Sequence, residues 1–198
     1  MTTSALILAA GGSRRMGFPK QLIPWGSTTL LGHVVTQTLT WPVDTVWLVL
    51  GCAAERVMDQ GGLPDVPVVI NPEWESGMAS SLRSGLDAMS RDPRVERTFI
   101  VMGDQPSIPL SVVERLLDVS RSTTRPAVVP RYRYTWSNPV LVARLLWSRL
   151  MSLTGDEGAQ RLLKAHPEWV HEVLFDLLPP RDVDTEADVE EAAPKTGV

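Results

Sequence analysis

Hydrophobic positions along this chain fall into two kinds of stretch that alternate. There are short unbroken apolar runs, and longer segments in which apolar residues recur every third or fourth position. Residues 5–10 form the first run and stop at Gly11-Gly12. A run this short, closed by glycines, predicts a strand buried on both faces of a parallel sheet. Residues 29–39 place Leu30, Leu31, Val34, Val35 and Leu39 at helical spacing, up to Trp41-Pro42, where the proline disfavours further helix. Residues 45–50, 66–70, 98–102 and 127–130 predict further strands, with 22–25 a short extended piece. Residues 53–59, 110–119, 142–153 and 160–165 predict helices. So does the second half of 71–86, where serines are available to cap the start. Residues 91–97 read as a polar connection, and 169–175 alternates, predicting a strand with one side less buried. Strand and helix in regular alternation predict an α/β fold with a mostly parallel, doubly wound sheet.

The 198 residues suit one sizeable domain, expected over 1–191, with 192–198 as a frayed tail. Hydrophobic residues at 43% and charged residues at 21% give the profile of a globular protein with a real core. The net charge of −4 argues against non-specific nucleic-acid binding, so cations near the first loop form a local site. The alternating basic and aromatic residues 131–136 read better as an exposed hairpin than as a nucleic-acid stripe. A single cysteine, Cys52, permits no intrachain disulfide and fits a reducing compartment. The first apolar run lacks a basic segment before it, and no stretch reaches the roughly 20 apolar residues of a membrane span. The expectation is a cytoplasmic protein with no membrane or nucleic-acid partner. His33, His166 and His171 show no metal-ligand pattern and are assigned no role.

The candidate chemistry starts where the first strand ends. Gly11, Gly12 and Ser13 let backbone N–H groups approach a bound group, and Arg15 and Lys20 supply cations suited to phosphate oxygens. Gly12 to Gly17 has Walker spacing, but Phe18-Pro19-Lys20 follows where Lys-Ser or Lys-Thr is needed. The dinucleotide pattern G-x-G-x-x-G is absent. A plain glycine turn with solvated arginines remains open on the residues alone. Asp104 lies just beyond a predicted parallel strand, at the carboxyl edge where open α/β sheets bind ligands, or is simply a turn residue before the next helix. Asp182 to Asp188 likewise fits a helix start with acidic residues in its first turn.

Leu8-Ala9-Ala10-Gly11-x-Ser13-x-Arg15-Met16-Gly17-x-x-Lys20 resembles the signature loop of nucleotidyltransferases, the nearest subgroup being the molybdenum cofactor cytidylyl- and guanylyltransferases. Four further segments resemble the same subgroup. They are Asn71-Pro72-x-Trp74-x-x-Gly77 with Ser80 and Ser81, Gly103-Asp104-x-Pro106, Asn138-Pro139-Val140, and Asp182-x-Asp184-Thr185-x-x-Asp188. The turn with Gly155 and Asp156 also fits it, whereas Ser137 stands where the family usually has glycine. The resemblance spans 6–188 and implies a three-layer Rossmann-like nucleotidyltransferase fold. It implies transfer of a nucleoside monophosphate from a triphosphate to a phosphate-bearing acceptor, of molybdopterin type, with release of pyrophosphate. Mg²⁺ would be held by Asp104 and Asp184. Lys20 and Arg15 would neutralise phosphate charge, and the loop from Ala10 to Ser13 would orient the triphosphate. Asn71, Gly77, Ser80 and Ser81 would lie beside base and ribose. Asn138, Pro139, Gly155 and Asp156 would lie by the acceptor. Leu8-Ala9-Ala10-Gly11 resembles the cytidylyl subgroup more than the guanylyl one, so CTP is expected over GTP. A molybdoenzyme receiving the cofactor is the implied protein partner. The alternatives are a guanylyltransferase, a sugar- or alcohol-phosphate nucleotidyltransferase, and a non-catalytic nucleotide-binding cofactor chaperone.

Overall fold

The computed structural model describes residues 2–13 and 16–192. In chain order its elements begin with β1 (Thr2–Ala9), a small hairpin of β2 (Pro24–Trp25) and β3 (Thr28–Thr29), α1 (Leu30–Leu39), β4 (Thr45–Leu50) and α2 (Ala54–Gln60). Then come β5 (Val68–Ile70), α3 (Met78–Ser90), β6 (Val95–Met102) and α4 (Leu110–Ser122). The last are β7 (Ala127–Tyr132), β8 (Thr135–Trp136), β9 (Val140–Ala143), α5 (Trp147–Met151), α6 (Ala159–Ala165), β10 (Val170–Phe175) and α7 (Glu186–Ala192). The tail expected over 192–198 lies outside the described residues from 193 on, and Ala192 closes α7.

The main sheet runs β10-β7-β9-β6-β1-β4-β5, with β8 added to β7. β1 is interior and parallel to both neighbours, β4 and β6. Its residues alternate between two cores. Ala5, Ile7 and Ala9 pack under Leu31, Val35 and Val112, while Leu6, Leu8 and Ala10 pack under Ala79, Leu82 and Leu86. That two-sided burial is why the run is apolar throughout. The result is a three-layer, Rossmann-like α/β fold with a mixed, largely parallel sheet: β9 runs antiparallel to both β6 and β7. Among the described residues no helix is long and apolar enough to cross a membrane.

Three local expectations change. The helix expected over 142–153 starts late, at Trp147, because Val140, Leu141 and Val142 fill the gap between β6 and β7 and are buried there. An apolar run of that length fits helix or buried strand equally, and the two unpaired neighbours decide it. The polar connection over 91–97 is partly strand, since Val95 and Arg97 pair with Thr2 and Thr3. The strand expected from 66 begins at Val68 and is a sheet edge, with Val68 and Ile70 exposed. The alternating segment over 170–175 is the opposite edge, where Val173 alone of the strand is buried.

Candidate active site

The carboxyl ends of β1, β4 and β6 are drawn together by backbone bonds: the Cys52 N–H donates to Ala10 at 3.0 Å and the Gly103 N–H to Leu8 at 2.9 Å. Loops leaving these ends build the site. After β1 the chain passes through Ala10–Ser13 and returns in a 3₁₀ turn, Lys20–Leu22. Two side chains tie the ends of this loop. Ser13 Oγ accepts from the Lys20 N–H at 2.9 Å, and Gln21 Nε2 donates to the carbonyls of Ala9 at 2.8 Å and Gly11 at 3.1 Å. Arg14 and Arg15 lie outside the described residues, so the role expected of Arg15 has no placement.

Lys20 Nζ donates to Asp104 Oδ2 at 2.5 Å and to Asp184 Oδ1 at 2.8 Å, joining the end of β6 to the C-terminal segment. Val183 explains how Asp184 arrives. Its side chain is fully buried against Ile23, Trp25 and Leu30, and its N–H donates to the Asp104 carbonyl at 2.9 Å. Burial alone would depress the Lys20 pKa, but pairing with Asp104 and then Asp184 outweighs it and the ammonium is held above its ordinary value. Burial pushes the Asp104 carboxyl up, and the charge of Lys20 opposes this without cancelling it.

Two clefts meet here. One, of about 360 Å³, is lined by Leu8, Ala9, Ala10, Gly11, Gly12 and Lys20 on the loop side, and by Trp74, Gly77, Met78 and Ser81 on the other. The second, of about 550 Å³, contains Asn138, Gln160 and Asp184. Leu8, Lys20, Met78, Met102, Asp104 and Asp156 belong to both. Asn71 and Ser80 do not line either cleft. Asn71 is 1% exposed, and its Nδ2 donates to Ser80 Oγ at 2.8 Å and Ser81 Oγ at 3.0 Å, so it braces the segment from below. Pro139 is buried and lines neither cleft.

The serines do not cap α3, contrary to the expectation. Ser80 Oγ donates backwards to the Glu73 and Gly77 carbonyls. The first helical N–H groups are met from across the site: Ala79 N–H donates to the Gly155 carbonyl at 3.0 Å and Met78 N–H to Asp156 Oδ1 at 3.4 Å. This contact is possible because position 77 is glycine. Its φ is +105°, and a Cβ there would lie 2.3 Å from the Gly155 carbonyl carbon and oxygen. Gly77→Ala is therefore expected to cost about 2–4 kcal/mol of stability, from strained backbone plus overpacking. Urea denaturation checks this, and a variant as stable as the parent would mean the two loops are not in contact.

Several lining residues had no role assigned from the sequence. Trp74 stood inside the Asn-Pro-x-Trp segment and Asp182 inside the closing acidic segment. Gln21 and Gln105 sit beside Lys20 and Asp104, as amides next to charged residues. Gln160, at the start of a helix, carried no signal.

The donor set suits a divalent cation. Among the described residues no three His, Cys, Asp or Glu side chains gather at one point. Hard cations with phosphate ligands commonly take only one or two protein carboxylates, however, with phosphate and water completing the shell. Asp104 Oδ1 is buried and makes no hydrogen bond, so this oxygen is open to coordination.

Residues 5–170 match the family described as the MobA-like NTP transferase domain. The chain belongs to that family. Within it, similarity does not single out one activity. The chain is 30% identical over 194 residues, 94% of its length and 91% of the other's, to nicotine blue oxidoreductase of Paenarthrobacter nicotinovorans. It is 23% identical over 140 residues, 70% of this chain and 69% of the other, to molybdenum cofactor cytidylyltransferase of Escherichia coli K12. The crystal structure of Rv0371c from Mycobacterium tuberculosis H37Rv in complex with manganese matches with a TM-score of 0.82 at 30% identity, covering 98% of each chain.

Proposed function

We propose that this MobA-like NTP transferase moves a nucleoside monophosphate from CTP to a phosphate-bearing acceptor of molybdopterin type, releasing pyrophosphate. The observation that carries this reading is the meeting of two clefts at Lys20 and Asp104. Group transfer needs two substrates to share one reacting point, and a nucleotide carrier would need only one cleft. The loop from Ala10 to Ser13 receives the triphosphate along backbone N–H groups. Lys20 offsets charge on the phosphates, and Arg15 is proposed to assist it. Gly77 and Ser81 line the nucleotide side, with Asn71 and Ser80 bracing them. Asn138 and Asp156 face the acceptor, supported by Pro139 and Gly155. Asp104 and Asp184 would hold Mg²⁺. The unpartnered Asp104 oxygen and the manganese complex of the Rv0371c protein support this assignment. Bound there, Mg²⁺ would screen repulsion between the acceptor anion and the α-phosphate and stabilise the departing pyrophosphate.

The preference for CTP rests on Ala10. It lines the nucleotide cleft, and its methyl packs where Gly51 and Trp74 meet, so the room beside the loop is limited. One methyl group discriminates by only about 1–3 kcal/mol, so CTP should win by roughly ten- to a hundredfold and not absolutely. Competition of CTP with GTP under single-turnover conditions is expected to show this. Preference for GTP would move the protein to guanylyl transfer and leave the phosphate and metal assignments intact.

A second reading is favoured by the 30% identity to a protein named as an oxidoreductase. A dinucleotide would then occupy the nucleotide cleft. The absence of G-x-G-x-x-G after β1 weighs against it. Oxidation of NADPH without pyrophosphate release would decide in its favour.

A further inference from the structure

We infer that Asp182 is a positioning residue that sets the hydrogen-bonding polarity of the acceptor cleft. The inference rests on the transferase reading in taking the second cleft as the acceptor's. Three amides and one carboxylate line a wall of that cleft: Gln160, Asn138, Gln105 and Asp182. They are bonded in one direction. Gln160 Nε2 donates to Asn138 Oδ1 at 3.4 Å, Asn138 Nδ2 donates to Gln105 Oε1 at 3.1 Å, and Gln105 Nε2 donates to Asp182 Oδ1 at 2.7 Å. The bonds shorten towards Asp182. A carboxylate only accepts, whereas a carboxamide can present either end. The terminal Asp182 therefore decides which way Gln105 faces. Gln105 then decides Asn138, and Asn138 decides Gln160. Tyr132 holds the Asn138 backbone in place through its hydroxyl, which donates to the Asn138 carbonyl at 3.1 Å.

The same fold device that delivers Asp184 delivers Asp182. With Val183 buried between them, the two carboxylates emerge on the side opposite the core, one onto Lys20 and the other onto Gln105. Each middle amide spends one N–H and one lone pair in the chain, leaving one of each for whatever enters the cleft. Without Asp182, Gln105 is free to turn over, and the pattern offered to the acceptor is no longer single.

Asp182 is exposed, so Asp182→Ala should fold normally; Asp182→Asn keeps the size but, as a carboxamide, can present either end and no longer fixes the direction. With CTP and molybdopterin, Asp182→Ala is expected to raise the acceptor KM about tenfold, the loss of roughly one net hydrogen bond. The kcat and the KM for CTP should stay within about twofold, and Asp182→Glu, which keeps an acceptor-only carboxylate, should restore most of the acceptor KM, whereas Asp182→Asn should not. An unchanged acceptor KM would overturn the inference. So would a fall in kcat alone, which would put Asp182 at the phosphate end. Side-chain amide NMR of the ligand-free protein is the independent arm. The Asn138 NH₂ signals, though Asn138 does not touch Asp182, should shift in Asp182→Ala and return in Asp182→Glu; signals that stay put would refute the chain. If the parent protein transfers nothing to molybdopterin, the functional reading falls while the NMR result still decides the positioning role.

Discussion

Asp104→Asn is expected to lower nucleotidyl transfer at least ~10²-fold without unfolding the protein, and raising Mg²⁺ should not restore it. The substitution keeps the volume but replaces a full acceptor carboxylate at the point where both clefts meet. In the proposed metal site, the charge that would draw a cation to the buried Asp104 carboxylate is what the substitution removes. Stability should behave differently from activity. The folded protein holds the Asp104 proton more tightly than an unfolded chain does, because burial raises this carboxyl. Ionising it therefore weakens the fold as pH rises from the ordinary carboxylate value up through the raised one, and above that the charged form is a burden that, among the described residues, Lys20 relieves. Removing that charge should leave the unfolding free energy, measured without divalent metal, within about 1 kcal/mol of the parent. Pyrophosphate release and urea denaturation on the same sample separate the two effects. Near-parental turnover would remove Asp104 from the metal site. Asp184→Asn is expected to behave alike in turnover.

Lys20→Met should lose on both counts. Lys20 lies in the cleft between Asp104 and Asp184, with 18% of its side chain exposed. Without it, two carboxylates are left together and the more buried one, Asp104, has no cation beside it among the described residues to offset its desolvation. Removing one partner of a buried ion pair costs about 3–5 kcal/mol; partial exposure of these groups brings the expected loss to about 1–3 kcal/mol. Turnover should fall by ~10²–10³, the size of effect seen when one charge-stabilising donor is removed from a reacting centre. A Lys20→Met protein with unchanged triphosphate affinity, measured by calorimetry, would place the phosphates elsewhere.

The first strand, the glycine loop that follows it and the place of Asp104 at a strand end were legible because each depends on a local property. Ala5 to Ala9 are apolar on both faces of the chain, Gly11 and Gly12 follow at once, and Asp104 comes two residues after β6. The hairpin over 131–136 was legible for a similar reason, with Tyr134 at its tip 92% exposed. The β9 strand was not, because Val140 to Val142 read equally as the start of a helix. Nor was the burial of Asn71 and Ser80 away from both clefts, since polar residues in a matching motif look the same whether they line a cleft or brace a loop.

By itself the sequence determined which segments are buried on both faces, where the chain turns at glycine and proline, and which residue types carry charge and metal affinity. These follow from side-chain chemistry and short-range spacing. Only the tertiary structure decided that Lys20, Asp104 and Asp184, up to 164 positions apart, share one cluster. It also decided that α3 is capped by Gly155 and Asp156 instead of by its own serines, and that Gln105, Asn138 and Gln160 hang in one direction from Asp182. Each of these depends on a long-range meeting of chain ends, fixed by packing such as that of Val183 in its apolar pocket. Local pattern holds no information about which distant partner a polar group will find.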